Sequence, residues 1–205
     1  MTFTGPAMLG LVAALTAGGV AHIGAAQKPE NPHTVAPDGQ ARVNEYGAAT
    51  KAFLDRLEEY MTFHNRVEKM VPSLTETANP EEIAQREAAL GAMLIKQRPD
   101  AREGDFFIKQ YQPYLIKIIK DDFARRPVAD RKALLVELPK DVKIGVNMVY
   151  PSGLPLATFP ANLLKALPEL PKGLEYRMVG RDLILRDVTG NVIVDVLRGV
   201  FPIPK

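Results

Sequence analysis

The chain has 205 residues, with no Cys, no Trp, 17 Pro and a formal net charge of +2. That length accommodates one domain or two small ones, and an apolar share of 46% excludes wholesale disorder. Without Cys there is no disulfide, no thiolate nucleophile and no Cys-ligated zinc; with Lys and Arg interleaved among Asp and Glu, there is no basic run of the kind that marks nucleic-acid binding.

Residues 1–26 contain no Lys, Arg, Asp or Glu. Met8 to Ala17 is an apolar core of signal-peptide length, and Gly24-Ala25-Ala26 puts small residues just ahead of a cut before Gln27. The expectation is a signal peptide over 1–26 and a periplasmic or secreted protein. The alternative is an uncleaved N-terminal anchor, because apolar residues continue for about 20 positions. Membrane contact is expected only in that second case. Residues 27–43 hold three Pro and few apolar side chains, which reads as a disordered linker. His22 and His33 fall before residue 44 and carry no expected role.

A helical region is expected over 44–138. Asn44 is a candidate N-cap for a first helix reaching residue 71. Tyr46, Thr50, Phe53, Leu57, Tyr60, His64, Val67 and Val71 form a seam at alternating spacings of four and three. His64 on that seam reads as a hydrogen-bonded core residue, and Glu68, four residues on, is its one helical neighbour of interest. Asn79-Pro80-Glu81-Glu82 opens a second helix, with Asn79 as cap, Pro80 in the first turn and Glu82 closing a capping box. Its stripe is Ile83, Leu90 and Leu94, and Pro99 ends it. A third helix is expected from about residue 109 to 126, with Pro113 tolerated in its first turn. Phe106 and Phe107 should plug the start of the bundle. A short fourth helix covers 129–137, and another short one covers 160–167.

The sheet region is expected over 139–205, packed with the helices as one domain. Val142, Ile144, Val146, Met148 and Tyr150 alternate with more polar neighbours, as a strand with one buried face does. Residues 174–197 then read as three antiparallel strands. Gly180-Arg181 and Thr189-Gly190-Asn191 break them into a meander. The expected fold is α+β: an N-terminal bundle of three long helices plus one short, and a C-terminal four-stranded antiparallel sheet. Tyr176, Met178, Leu183 and Leu185 should form the sheet's buried underside.

No phosphate-binding loop, dinucleotide glycine pattern or paired-His metal motif is present. Ser73 and Ser152 lack a base and a nucleophile-elbow setting. The meander's charges, Glu175, Arg177, Arg181, Asp182, Arg186, Asp187 and Asp195, read most simply as cross-strand ion pairs on the outer face of the sheet. Read functionally, Arg177 and Arg186 could hold an anionic group, and Asp187 with Asp195 could form an acid–base pair. Asn147, polar among apolar neighbours, completes the set of candidate ligand contacts.

The elements Tyr150-Pro151, Leu-Pro-x-Leu-Pro before Lys172, Leu174-Glu175-Tyr176-Arg177, the run 179–188 and Asn191 to Asp195 resemble the C-terminal half of a family of small exported bacterial proteins. The run from Leu90 to the Gly104-Asp105-Phe106-Phe107 motif resembles its middle. The resemblance implies export and a helical-plus-sheet layout. It carries over no catalytic, cofactor or metal residue, since no activity is established for the family. After Gly-Asp-Phe-Phe this chain has Ile108-Lys109-Gln110, where similar sequences open the next helix with Thr-Pro-Glu.

The functional expectation is an exported, non-catalytic cell-envelope protein that binds a partner protein or polymer, without cofactor or metal. The alternative is a periplasmic small-molecule binder with a cleft between bundle and sheet, lined by Tyr46, Tyr60, Tyr111 and Tyr114. A carboxylate-based hydrolase using Asp187 or Asp195 is the third.

Overall fold

A computed structural model describes residues 44–136, 142–151, 153 and 159–202. Contacts divide the chain between Arg42 and Val43, and all described residues belong to the second unit, Val43–Lys205. The expected signal peptide, anchor and linker, His22, His33, Ser152 and the end of the fourth helix all lie outside the described residues. The fold is α+β, and among the described residues five helices are followed by a three-stranded antiparallel sheet in the order β1-β2-β3.

Helix α1 spans Glu45–Glu68. Asn44 caps it as expected, its side-chain oxygen accepting Gly47 N–H at 3.0 Å. The seam buries Phe53, Leu57, Tyr60, His64 and Val67, while Tyr46 at its start is exposed. Helix α2 spans Pro80–Lys96. Asn79 caps it through Glu81 N–H at 3.0 Å. The expected capping box is replaced by another arrangement: Asn79 N–H is taken by Thr77 Oγ1, and Glu82 accepts from the Asn79 side-chain amide. Leu90 and Leu94 are buried, but Ile83 of the same stripe faces solvent.

Helix α3 spans Gln112–Arg125, later than expected because Pro113 has no N–H to donate and fits only the opening turn. Helices α4 (Val128–Val136) and α5 (Ala161–Ala166) are short. Only α1, α2 and α3 exceed nine residues, and α3 has 14, so the expected bundle is smaller than its pattern suggested.

Strands β1 (Leu174–Val179) and β2 (Asp182–Asp187) pair through the two-residue turn Gly180-Arg181, with Gly180 at φ +57°. Strand β3 (Val192–Leu197) pairs with β2, with a bulge that leaves Val194 without an opposite residue.

The expected fourth strand is corrected. Residues 142–150 make one isolated bridge, Val149 to Val192. Alternation held only on paper: Asn147 adopts φ +62° in a turn, and only the residues from it to Tyr150 bond to the β3 end of the sheet, at Asn191 and Ile193. Met148 is consequently exposed and Tyr150 buried, where strict alternation placed both inside.

Three apolar clusters hold these elements. The largest joins Phe53, Leu57 and Tyr60 of α1, Leu115, Ile119 and Phe123 of α3, and the sheet face of Tyr176, Met178, Leu183 and Leu185. Phe106 and Phe107 enter it as expected; Phe107 stacks near Phe53 at 6.0 Å. A second joins Val67 and Val71 to Leu90, Leu94 and Val192. The third covers the other sheet face, where Tyr150, Ile144 and Val146 lie over Ile184, Ile193 and Val196. The sheet is therefore covered on both faces, not one.

Candidate functional site

The five sequence candidates separate into three places. Asn147 sits at the C-terminus of α2. Its side-chain amide donates to Ile95 C=O at 3.0 Å and Arg98 C=O at 2.8 Å, carbonyls of the last turn of α2 and of the loop after it that also accept Arg98 N–H and Ala101 N–H. These two bonds tie the turn at Asn147 to the end of α2.

Arg177 and Arg186 do hold an anionic group, and that group is Glu175 of the same sheet. Arg177 reaches it at 2.7 and 2.6 Å, and Arg186 at 2.7 Å. Burial alone would push the Glu175 carboxyl up, but the two guanidinium groups outweigh it and hold it below the ordinary range. Arg186 also donates twice to Asn191 Oδ1 and lies 4.9 Å over the Tyr150 ring. The Arg186–Glu175 pair is cross-strand as expected, whereas Arg177 and Glu175 pair along one strand.

It fails for Asp187 and Asp195, which are both fully buried. Alternation already put Asp187 on the Leu183–Leu185 face, the signal that marked it as internal. Asp195 accepts from Gly104 N–H at 2.9 Å, Phe106 N–H at 2.9 Å, Phe107 N–H at 2.7 Å and Val196 N–H at 2.7 Å. Two segments that carried the resemblance, Gly-Asp-Phe-Phe and the end of Asn191–Asp195, are thus bonded to one another. Burial pushes the Asp195 carboxyl above its ordinary value, and the backbone donors only partly offset it.

Asp187 joins α1 to the β2–β3 turn. Oδ2 accepts from Tyr60 Oη at 2.8 Å and lies 2.7 Å from His64 Nδ1. Oδ1 accepts from Thr189 N–H, Thr189 Oγ1 and Gly190 N–H at 2.9–3.0 Å. Burial pushes its carboxyl up, yet the His64 hydrogen bond and the donors after it bring it below the usual value. An ionised carboxylate only accepts, so His64 Nδ1 carries the proton. The same hydrogen bond raises the His64 pKa against the opposing effect of burial. Desolvation, then the Asp187 charge, pushes the Tyr60 phenol far up.

Asp187 and Asp195 are tied to different elements, α1 and the 104–107 loop, and each accepts several N–H or O–H donors. An acid–base pair would need free lone pairs converging on one substrate. The proposed tyrosine pocket is also corrected. Tyr60 and Tyr111 are buried in the large cluster, Tyr46 stacks edge-on with Tyr114 at 5.0 Å, and the seam between helices and sheet is filled.

A cleft of about 840 Å³ lies elsewhere, between the end of α1, α2 and the β2–β3 turn. Val71, Leu74, Ile83, Leu90 and Val188 supply its apolar lining, and Glu68, Arg86 and Thr189 are among its polar groups. Leu74, Ile83 and Val188 are 42%, 47% and 39% exposed. Arg86 reaches Glu68 at 3.3 Å. His64 lies at the polar end, with Nε2 3.9 Å from Glu68 and 3.4 Å from Thr189 Oγ1. Sequence reading missed Arg86 and Thr189. The available signal was the Asp187-x-Thr189-Gly190 pattern, which favours a side-chain-capped turn.

Ser73 also lines this cleft, with no hydrogen-bonded base among the described residues. The described residues contain no group of three or more metal-ligating side chains, and no helix long and apolar enough to cross a membrane. No family model matches the chain, nor does any curated protein or solved structure.

Proposed function

We propose that this is an exported, non-catalytic binding protein that takes an amphipathic segment of a partner protein in the cleft between α1, α2 and the β2–β3 turn. One observation carries this reading. The cleft leaves Leu74, Ile83 and Val188 in solvent, whereas the candidate acid–base residues Asp187 and Asp195 are buried and saturated by the chain's own donors. Exposed apolar side chains gathered around a concavity with a charged pair beside them are what partner surfaces present. The Arg86–Glu68 pair and Thr189 offer both signs of charge and a hydroxyl to the polar side of such a segment. Export is supported by the uncharged residues 1–26 and the small residues before Gln27.

A photo-crosslinking side chain at Ile83, in the exported protein in cells, should give one discrete adduct. Leu74→Asp together with Val188→Asp should abolish it, while a crosslinker at Lys51 on α1 gives none. Identical adducts from both sites, or none from Ile83, would remove the proposal. The exported protein should have an intact mass that begins at Gln27.

A small-molecule binder is the second reading, and the cleft volume is what favours it, since ligand sites span about 300–1,000 Å³. Native mass spectrometry separates the two. A small adduct lost on Ile83→Asp would replace the protein partner with a small ligand.

A further inference from the structure

Glu45, Ala48, Ala52 and Arg56 recur at spacings of three and four, so they lie along one face of α1. Ala49 stands beside Ala48, and between the two charged ends the face is floored by methyl groups. The facing wall is the segment that enters α3. Tyr111 and Leu115 of that segment are buried in the large cluster, whereas Ile108, Pro113 and Tyr114 stay in reach of solvent. The two sides enclose a groove of about 820 Å³ with a mostly apolar lining, within the range of small-ligand sites, about 300–1,000 Å³. Tyr46 holds the Tyr114 ring edge-on at 5.0 Å, which braces that wall at the start of α1. From Ala48 to Arg56 the helix rises about 12 Å.

The groove has a cation at one end. Arg56 Nη1 donates to Asp105 C=O at 2.9 Å, which anchors the guanidinium. Arg56 has no ion-pair partner among the described residues, whereas Lys51 on the same helix is paired with Asp55. A guanidinium has five N–H donors, and one bond to a carbonyl leaves most of them for a carboxylate. Glu45 stands at the other end of the lining.

We propose that this groove binds an unbranched aliphatic monocarboxylate, with its carboxylate on Arg56 and its chain along the alanine face toward Tyr114. Charge sets the direction, because Glu45 repels a carboxylate at the opposite end. Along the path of the chain the alanine side chains offer no hydrogen bond, so a hydroxylated ligand would lose its bonds to water without replacement. An extended decanoate chain matches the span from Ala48 to Arg56. The groove shares no residue with the cleft between α1, α2 and the β2–β3 turn, so this inference stands apart from the function proposed for that cleft.

Calorimetric titration of the full chain with decanoate, kept below its micelle concentration, should show saturable binding. 1-Decanol should bind about tenfold more weakly, the loss of a hydrogen bond to a charged group. Arg56→Gln should weaken decanoate by a similar factor and leave 1-decanol unchanged. Ala52→Phe should abolish both by filling the groove, and Ile83→Asp, in the other cleft, should change neither. Decanoate should also shift the Ala48 and Ala52 methyl resonances of the wild type. Absence of saturable binding overturns the proposal. Equal affinity for decanoate and 1-decanol overturns it as well, and so does binding that Ile83→Asp removes. Methyl shifts that follow protein concentration without ligand would give the groove to a second copy of the chain instead. If Ala52→Phe does not fold, Arg56→Gln and the methyl shifts decide.

Discussion

At the scale of single residues, His64 shows how much a pattern can reveal and where it stops. Its place on the α1 seam said that it was buried, and a buried imidazole needs a partner. The partner, Asp187, is 123 positions away in the chain, and no local spacing points to it. The pair makes stability depend on pH with a definite sign. The His64 pKa is raised above its usual 6.5 in the fold, so its contribution is complete below that value and is lost as pH rises through the folded pKa. The Asp187 pKa lies below its usual 3.8, so its contribution is present above that value and is lost as pH falls through the folded pKa. The pair therefore stabilises most between about pH 4 and about pH 6.5. Asp195, raised in the fold, has the opposite acid-side sign to Asp187, and it loses its contribution as pH increases. Facing His64 are Tyr60 and Glu68 from α1, Arg86 from α2, and Asp187 and Thr189 from the hairpin. A His64→Gln variant separates its part from that of Asp195. Urea unfolding should put wild type about 1.5–3 kcal/mol above the variant at about pH 5.5, the range for a hydrogen bond to a charged group. The gap should narrow at about pH 8, because above 6.5 the unfolded chain gives up the His64 proton that the fold holds more tightly. A gap that is constant or widens with pH would show that His64 is not paired as an imidazolium.

At the scale of elements, contacts matter that a one-dimensional pattern does not contain. Residues 142–150 carry a strand's alternation, yet Asn147 prefers the α2 carbonyls and turns the chain out of the sheet. Ile83 carries the helix stripe, yet α2 meets α1 and β3 nearer its C-terminal end and leaves Ile83 bare. The close approach there depends on two glycines. A Cβ on Gly91 would lie 2.2 Å from Gly190 C=O, and a Cβ on Gly190 would lie 2.6 Å from Leu94 Cδ1. Helix propensity alone would favour Ala at position 91 by about 1 kcal/mol. The clash is with backbone, which cannot rotate aside, so overpacking should dominate. Gly91→Ala should lower unfolding stability by about 1–3 kcal/mol, the usual cost of forcing volume into a packed site. It should also weaken crosslinking at Ile83, because the β2–β3 turn and α2 are walls of one cleft. Chemical denaturation with an unchanged or raised midpoint would mean that helix and turn are not held this close in solution.

At the scale of the whole molecule, the order of helices before an antiparallel sheet was legible from the change of apolar period, from helical spacing in α1 to alternation in β1 and β2. The number of strands and the second covered face were not, because both depend on where Tyr150, Ile144 and Val146 come to rest. Strand β3 is the element on which all three clusters converge. Val194 and Leu197 belong to the large cluster, Val192 to the α1–α2 cluster, and Ile193 and Val196 to the outer one. Every residue of β3 is buried. Opening β3 therefore exposes part of each cluster at once, and no smaller unit can release it. Amides that exchange only through complete unfolding should be those of β2 and β3, with Leu185, Ile193 and Val196 among the slowest. Helix α4, whose Ala129, Asp130 and Lys132 face solvent, should exchange through local opening at much lower free energy. Native-state exchange in low denaturant reads this directly: slopes for β3 should equal that of global unfolding, and slopes for α4 should be near zero. If β3 instead opens with a shallow slope while α1 and α3 stay closed, the helices form a core of their own and the sheet is an appendage to it.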